Sequence, residues 1–219
     1  WRNHPADHDA GQRDNALTAM TAIPVTAVNT NSTIRLAQSS DEPELLKLIQ
    51  MMHAECGWLP LDIDCCREML GRAFNRNGVV LVVIGIPGHI RAMLCMQISR
   101  FWFTKNCHLE ETFNWVHPDH RNTDYARTMS EYAKAWSDDL SQEMGHKVPL
   151  MMGVLTNRRM APKVRLYRRF FGIPVGAYFL YNAEWSDHDV TEEDFWRVPK
   201  IANLFFKRSE RARAERRVS

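Results

Sequence analysis

The chain changes its hydrophobic period several times between Thr33 and Tyr181, and each change marks an element. Thr33 to Gln38 alternates apolar and polar residues as a short strand does, and Ser40-Asp41 then offers side-chain oxygens for a helix start. Leu45, Leu46, Leu48, Ile49, Met52 and His53 form the stripe of that helix, and a second helix fits Asp62 to Phe74. Val79 to Gly85 and Ile90 to Ile98 read as two strands joined by the turn residues Ile86-Pro87-Gly88-His89. His108 to Val116 alternates again, which predicts one face of Leu109, Glu111, Phe113 and Trp115 and another of His108, Glu110, Thr112, Asn114 and Val116. Past Pro118 the period becomes helical, with Ala126, Met129, Ala133, Trp136, Leu140 and Met144 on one stripe. Pro149 to Leu155 suits a buried strand, Pro162 to Phe171 a helix stopped by Gly172, and Gly176 to Tyr181 a final strand. This order predicts an α/β (α+β) fold: a mixed sheet with helices on both faces.

The flanks read differently. Residues 1–32 hold few large apolar side chains and no sustained period, so they are expected to form a flexible leader before a domain of residues 33–182. Within the extension 183–219, Thr191 to Arg208 carries Phe195, Trp196, Ile201, Leu204 and Phe205 around a break at Pro199. Seven basic residues against two acidic ones follow from Lys200 onward, a surplus of five that leaves the rest of the chain at −3 within the formal net charge of +2. A nucleic-acid footprint over the whole protein is therefore not indicated, although the tail alone has the charge for an anionic surface. With 45% hydrophobic and 25% charged residues over 219 positions, the chain can bury a full core. Five cysteines, an odd number scattered through predicted helices and strands, suit reduced thiols in the cytoplasm rather than a disulfide framework. Cys65-Cys66 lacks metal-ligand spacing, so no metal is expected, and the longest apolar run, Val79 to Pro87, falls far short of the ~20 residues a membrane span requires.

Candidate chemistry concentrates at the junction Val116-His117-Pro118-Asp119-His120-Arg121-Asn122-Thr123-Asp124-Tyr125-Ala126, where a strand closes and a long amphipathic helix opens. The first turn of a helix leaves backbone N–H groups without partners and carries about half a positive charge, so amides and dipole together favour an anion there.

The order of elements, the strand ending in Val116-His117-Pro118, Arg121 before the long helix, and Leu166-Tyr167 before Phe171-Gly172 together resemble the GNAT superfamily of acyl-CoA-dependent N-acyltransferases, most closely its short phage and prophage members. The resemblance spans Thr33 to Asn182. The family's phosphate loop reads Gln/Arg-x-x-Gly-x-Gly/Ala; here Arg121 and Ala126 match, and Asp124 stands at the first glycine. An Asp adds bulk and a like charge beside a phosphate, or else faces away as a helix cap; the loop is expected either to bind acyl-CoA more weakly than usual or to bind it through Arg121, His120 and Arg127 instead. The resemblance implies acetyl-CoA as co-substrate, bound by Asn114, Trp115, Val116, His117, Arg121, Asn122, Thr123, Asp124, Tyr125 and Ala126, with Asn157 near the second helix. It also implies a general base on the strand before the loop, because an alkylammonium with a pKa of about 10.4 must lose its proton before it attacks a thioester. Glu110, sharing strand parity with Val116, is the expected base, with Glu111 on the opposite side. Tyr167 takes the place of the acid that protonates the leaving thiolate.

Two functions follow. The first is a cytoplasmic N-acetyltransferase acting by direct attack of an amine, borne by a small molecule or a protein, on the thioester. The second is a module that keeps the GNAT fold but not catalysis, favoured by Asp124 and the added C-terminal helix. That helix is expected to dock on the domain or on a second copy before any nucleic-acid contact by the basic tail, with no membrane partner.

Overall fold

The run from Val79 to Ile84 is buried on both sides, as a strand is when helices cover both faces of its sheet. It belongs to β2 (Val79–Ile86), which lies between β1 (Ile34–Leu36) and β3 (His89–Arg100). Next to β3 comes β4 (Cys107–Val116) and then β5 (Leu150–Met151), so the strands sit in the sheet in chain order. Every pair is antiparallel except β4 with β5, which is parallel. The computed structural model describes residues 34–57, 59–154, 156, 160–172 and 174. These divide into two units, one of residues 34–52 and 61–153, the other of residues 53–60 and the described residues from 154 on. The expected leader, final strand, C-terminal helix and Asn157 lie outside the described residues.

In the first unit, helices α1 (Glu42–Cys56, here as far as Met52) and α2 (Ile63–Phe74) cover one face of the sheet. Leu45, Leu48 and Ile49 of α1 and Leu70 and Ala73 of α2 bury themselves against Val79, Leu81, Val83, Met93, Cys95 and Trp115. Helix α3 (Tyr125–Met144) covers the other face, its Met129, Tyr132, Ala133, Trp136 and Leu140 meeting Val80, Val82, Leu94, Met96, Leu109 and Val116. Strand alternation sends neighbouring residues of β2 into these two cores in turn. Asp62 starts α2 as its sequence suggests, its carboxylate accepting the amides of Asp64 and Cys65 at 2.8 and 3.1 Å.

Short polar ties fix the edges. The buried Asp41, in a 3-10 turn ahead of α1, accepts two bonds from the Arg35 guanidinium at 2.6 and 2.9 Å and one from the Gln38 amide at 2.9 Å. Burial pushes this carboxyl up, but Arg35 and the amide more than offset that and hold it below the ordinary carboxylate value. Arg35 also donates to the Gly85 carbonyl at 2.8 Å. Gly85 sits at an irregularity of the β2–β3 ladder with φ 128°, where an added Cβ would stand 2.2 Å from the His89 carbonyl oxygen, so only glycine fits.

The structure shortens one predicted strand. Among the described residues 149–154 only Leu150–Met151 pairs with β4, at Leu109↔Leu150 and Glu110↔Met151. In the second unit, α4 (Met160–Phe171) begins two residues before the Pro162 expected near its start, and it buries Tyr167.

Candidate active site

Strand β4 is where the structure corrects the sequence reading. Its pairing with β3 is regular from Cys107 to Glu111 and again from Phe113 to Val116, but Met96 faces Glu111 while Cys95 faces Phe113. Thr112 is the extra residue of a β-bulge, and each side of it keeps its own alternation. Glu110 pairs with Gln97 and therefore shares the α1/α2 face with Phe113 and Trp115; it does not share a face with Val116, as unbroken alternation predicted. Glu111, opposite Met96, lies on the α3 face with Asn114 and Val116, and its Oε2 accepts the Gly153 amide at 3.2 Å.

Around Glu110 the partners are soft ones. Its Oε2 accepts from the Gln97 amide at 3.3 Å and stands 4.0 Å from His108 Nε2, too far for a hydrogen bond. His108 is buried, with Nδ1 lacking a partner among the described residues, and its ring stacks on Phe101.

Beyond the last pair with β5, strand β4 runs on to Val116 and into the loop. Among the described residues, Asn114 Oδ1 is buried there without a hydrogen-bond partner. A turn at Pro118–His120 follows, tied by the His117 side chain, which accepts the Asp119 amide at 3.3 Å. Thr123 Oγ1 donates to the His120 carbonyl at 2.6 Å and accepts the Tyr125 amide at 3.4 Å, and the Thr128 amide reaches the Asp124 carbonyl. That leaves the amides of Ala126 and Arg127 without an acceptor among the described residues, at the positive end of a 20-residue helix. Asp124 precedes this helix but its side chain makes no capping bond, so the capping role is not observed. Its φ of −87° and ψ of 9° suit any residue. Glycine is thus not required for backbone conformation, and what Asp124 brings is an exposed carboxylate. Asn122 and Thr123 are exposed beside it.

Arg121 turns back onto the strand. Its Nε donates to the Val116 carbonyl at 3.2 Å and its guanidinium lies 5.7 Å from the Trp115 ring centroid, so the side chain closes the strand end. A cation that sequence reasoning missed is Arg91 of β3, whose Nη1 donates to Tyr125 Oη at 3.2 Å and whose carbonyl accepts the His117 amide at 2.8 Å. Only the register of β3 on β4 reveals it. Neither loop nor strand offers a cysteine nucleophile: burial pushes the Cys95 thiol up to about 12 and raises Cys107 as well. No group of three His, Cys, Asp or Glu gathers as a metal site would need among the described residues.

Neither a protein-family model nor a curated protein matches the sequence. Solved structures do match the fold. One, described as a possible acetyltransferase from Clostridium difficile 630, superposes with a TM-score of 0.54 at 16% identity, covering 71% of this chain and 99% of its own. Another is AAC(6')-Iy in complex with a bisubstrate analog, CoA-S-monomethyl-acetylneamine, with a TM-score of 0.53 at 10% identity over 70% of this chain and 98% of its own. A third is a ribosomal-protein-alanine N-acetyltransferase from Brucella melitensis biovar Abortus 2308, with a TM-score of 0.51 at 14% identity over 70% of this chain and 99% of its own. The chain has the GNAT acetyltransferase fold.

Within the GNAT fold, the first unit brings together Glu110, the bulge, the end of β4 and residues 117–126 along one strand and its exit. Tyr167 belongs to the second unit, where it is buried, meets Phe171 edge-on at 5.5 Å and has Lys163 Nζ 5.3 Å from its ring centroid. No described helix is long and apolar enough to cross a membrane.

Proposed function

We propose that this protein is an N-acetyltransferase that takes the acetyl group from acetyl-CoA and passes it to an amine by direct attack. The observation that carries the reading is the exit of β4: two open helix amides past its end, Arg91 bonded to the first turn of the helix, and a carboxylate, Glu110, in mid-strand. Glu110 to Val116 spans about 20 Å at the usual rise of a strand residue, which suits an extended pantetheine arm between a phosphate loop and a base. In this reading the amides of Ala126 and Arg127 and the cation of Arg91 hold phosphate. Glu110 takes the ammonium proton so that the neutral amine can attack the thioester carbonyl; the C–S bond then breaks. Tyr167 is assigned the return of a proton to the thiolate on the resemblance to the family alone.

Kinship with the phage and prophage members of the superfamily, action in the cytoplasm and pairing of two copies through residues 191–208 belong to the same proposal. Support comes from the loop residues 121–126, from the five free thiols, and from the large aromatic residues at helical spacing. A second reading, a module that binds without catalysing, is favoured by the exposed Asp124 carboxylate at the mouth of the open amides. Calorimetry with acetyl-CoA separates the readings when combined with turnover of an amine acceptor. Wild type should bind, and Glu110→Gln should bind equally while losing ~10²–10⁴-fold in turnover. No heat at millimolar acetyl-CoA removes the enzyme reading; heat without turnover for any amine supports the module.

A further inference from the structure

Charge is sorted unevenly along the chain, and helix α4 sits where the sorting is strongest. Acids make up 26 of the 219 residues, yet none lies between Glu143 and Glu184, a stretch that holds seven Lys and Arg residues. Earlier helices mix the signs and pair them. Arg67 of α2 meets Asp64 at 3.0 Å, and Arg127 of α3 meets Glu131 at 2.9 Å. Helix α4 instead carries Lys163, Arg165, Arg168 and Arg169 with no acid anywhere along it. Arg165 stands three and four residues from Arg168 and Arg169, spacings at which like charges weaken a helix. The helix dipole favours cations in the last turn, where Arg168 and Arg169 lie, but gives no reason for Arg165 or for a first turn without acids.

The helix is also two-sided. Tyr167 is buried and Val164, Leu166, Phe170 and Phe171 are half-buried, whereas Arg165, Arg168 and Arg169 are exposed within an arc of about 100° on the side away from Tyr167. Lys163 lies over the Tyr167 ring and Arg168 has a partner, so Arg165 and Arg169 carry the argument. They stand about 6 Å apart along the helix axis, close to two steps of a nucleic-acid strand at ~3.4 Å each. Guanidinium forks match phosphate oxygens in pairs. A bilayer fits this helix poorly, because it shows no large exposed apolar side chain to bury in lipid. A protein surface fits less well than a polyanion, since it interleaves both signs where this stretch has only one.

We propose that the Arg165 and Arg169 face of α4 docks on the phosphate backbone of a nucleic acid, without reading its sequence. The proposal stands apart from the acetyltransfer reading, in which neither arginine has a part. The probe is a fluorescein-labelled DNA duplex of about 20 base pairs, titrated by anisotropy with the full chain at about 50 and 200 mM salt. Arg165→Gln/Arg169→Gln removes two charges from the face, and Lys47→Gln/Arg67→Gln removes two exposed charges from α1 and α2. Arg165→Lys/Arg169→Lys keeps the charge. Wild type should bind at the lower salt. The arginine-to-glutamine pair should weaken binding at least about tenfold there and flatten the slope of log affinity against log salt by about 1.8, while the α1 and α2 pair stays within about threefold and the lysine pair keeps the slope. Should the glutamine pair not fold, Arg169→Gln alone should flatten the slope by about 0.9. No binding by wild type, equal losses in the two glutamine pairs, or a slope lost with lysine as well would each overturn the proposal. An unchanged slope in Arg165→Gln/Arg169→Gln would also overturn it, and would leave the basic residues from Lys200 onward to hold the duplex. Poly-glutamate displacing the probe as well as unlabelled duplex does, at equal charge, would overturn it in favour of an acidic protein partner.

Discussion

At the scale of single residues, Asp41 and Asp124 show how context decides what a carboxylate does. Asp41 is buried but held by two bonds from Arg35 and one from the Gln38 amide, which keeps it charged and ties β1 to the start of α1. Removing its charge strands the Arg35 guanidinium, so Asp41→Asn should destabilise the fold by about 3 kcal/mol at neutral pH. Because the native carboxyl titrates below the ordinary value of 3.8, its contribution is present above that value and is lost as pH falls through the lowered native one. The gap between wild type and variant in urea melts should therefore close on acidification below that range; a gap unchanged down to the acid limit would rule out the pairing as its source. Asp124 is the opposite case, exposed and making no capping bond. Its charge opposes a phosphate at the Ala126 and Arg127 amides, so Asp124→Gly should tighten acetyl-CoA binding in calorimetry while Arg91→Ala weakens it. Weaker binding in Asp124→Gly would show that the carboxylate supports the loop.

At the scale of elements, the sequence was legible wherever a period ran unbroken. The stripe of α3, the Asp62 start of α2 and the hairpin around Pro87-Gly88 stand where their spacing puts them. The faces of β4 were not legible, because a bulge adds one residue without disturbing the local alternation of apolar and polar side chains; His108 to Val116 reads the same with or without it. Only the partner strand reveals that Met96 faces Glu111 and Cys95 faces Phe113. The same limit hid Arg91, which reaches the loop through register rather than through any motif. Since Thr112 is the added residue, deleting it should leave Glu110 and Val116 on the faces they now occupy while straightening the strand. The variant should melt within a few degrees of wild type but bind acetyl-CoA more weakly, as judged by thermal melts and calorimetry; full binding would mean the bend is not part of the site.

At the scale of the whole molecule, the likeness to acetyltransferases of 10–16% identity is one of fold, carried by two faces of buried side chains rather than by shared sequence. Resemblance at the residue level was confined to the loop and a few helix positions, so the sequence pointed to the fold there but to no acceptor. The spatial order of the strands has a consequence of another kind, for the time course of folding. Each strand neighbours its predecessor in the chain, and β2, β3 and β4 follow one another through short connections, whereas β1 must close across two helices and β5 across α3. Local pairings cost the least loop-closure entropy, so the β2–β3–β4 meander should form the nucleus and β1 and β5 should join late. Truncating Leu94 should then slow refolding, with a φ-value above about 0.5, while truncating Leu150 should mainly hasten unfolding; the reverse pattern in stopped-flow chevrons would place the nucleus at the sheet edges.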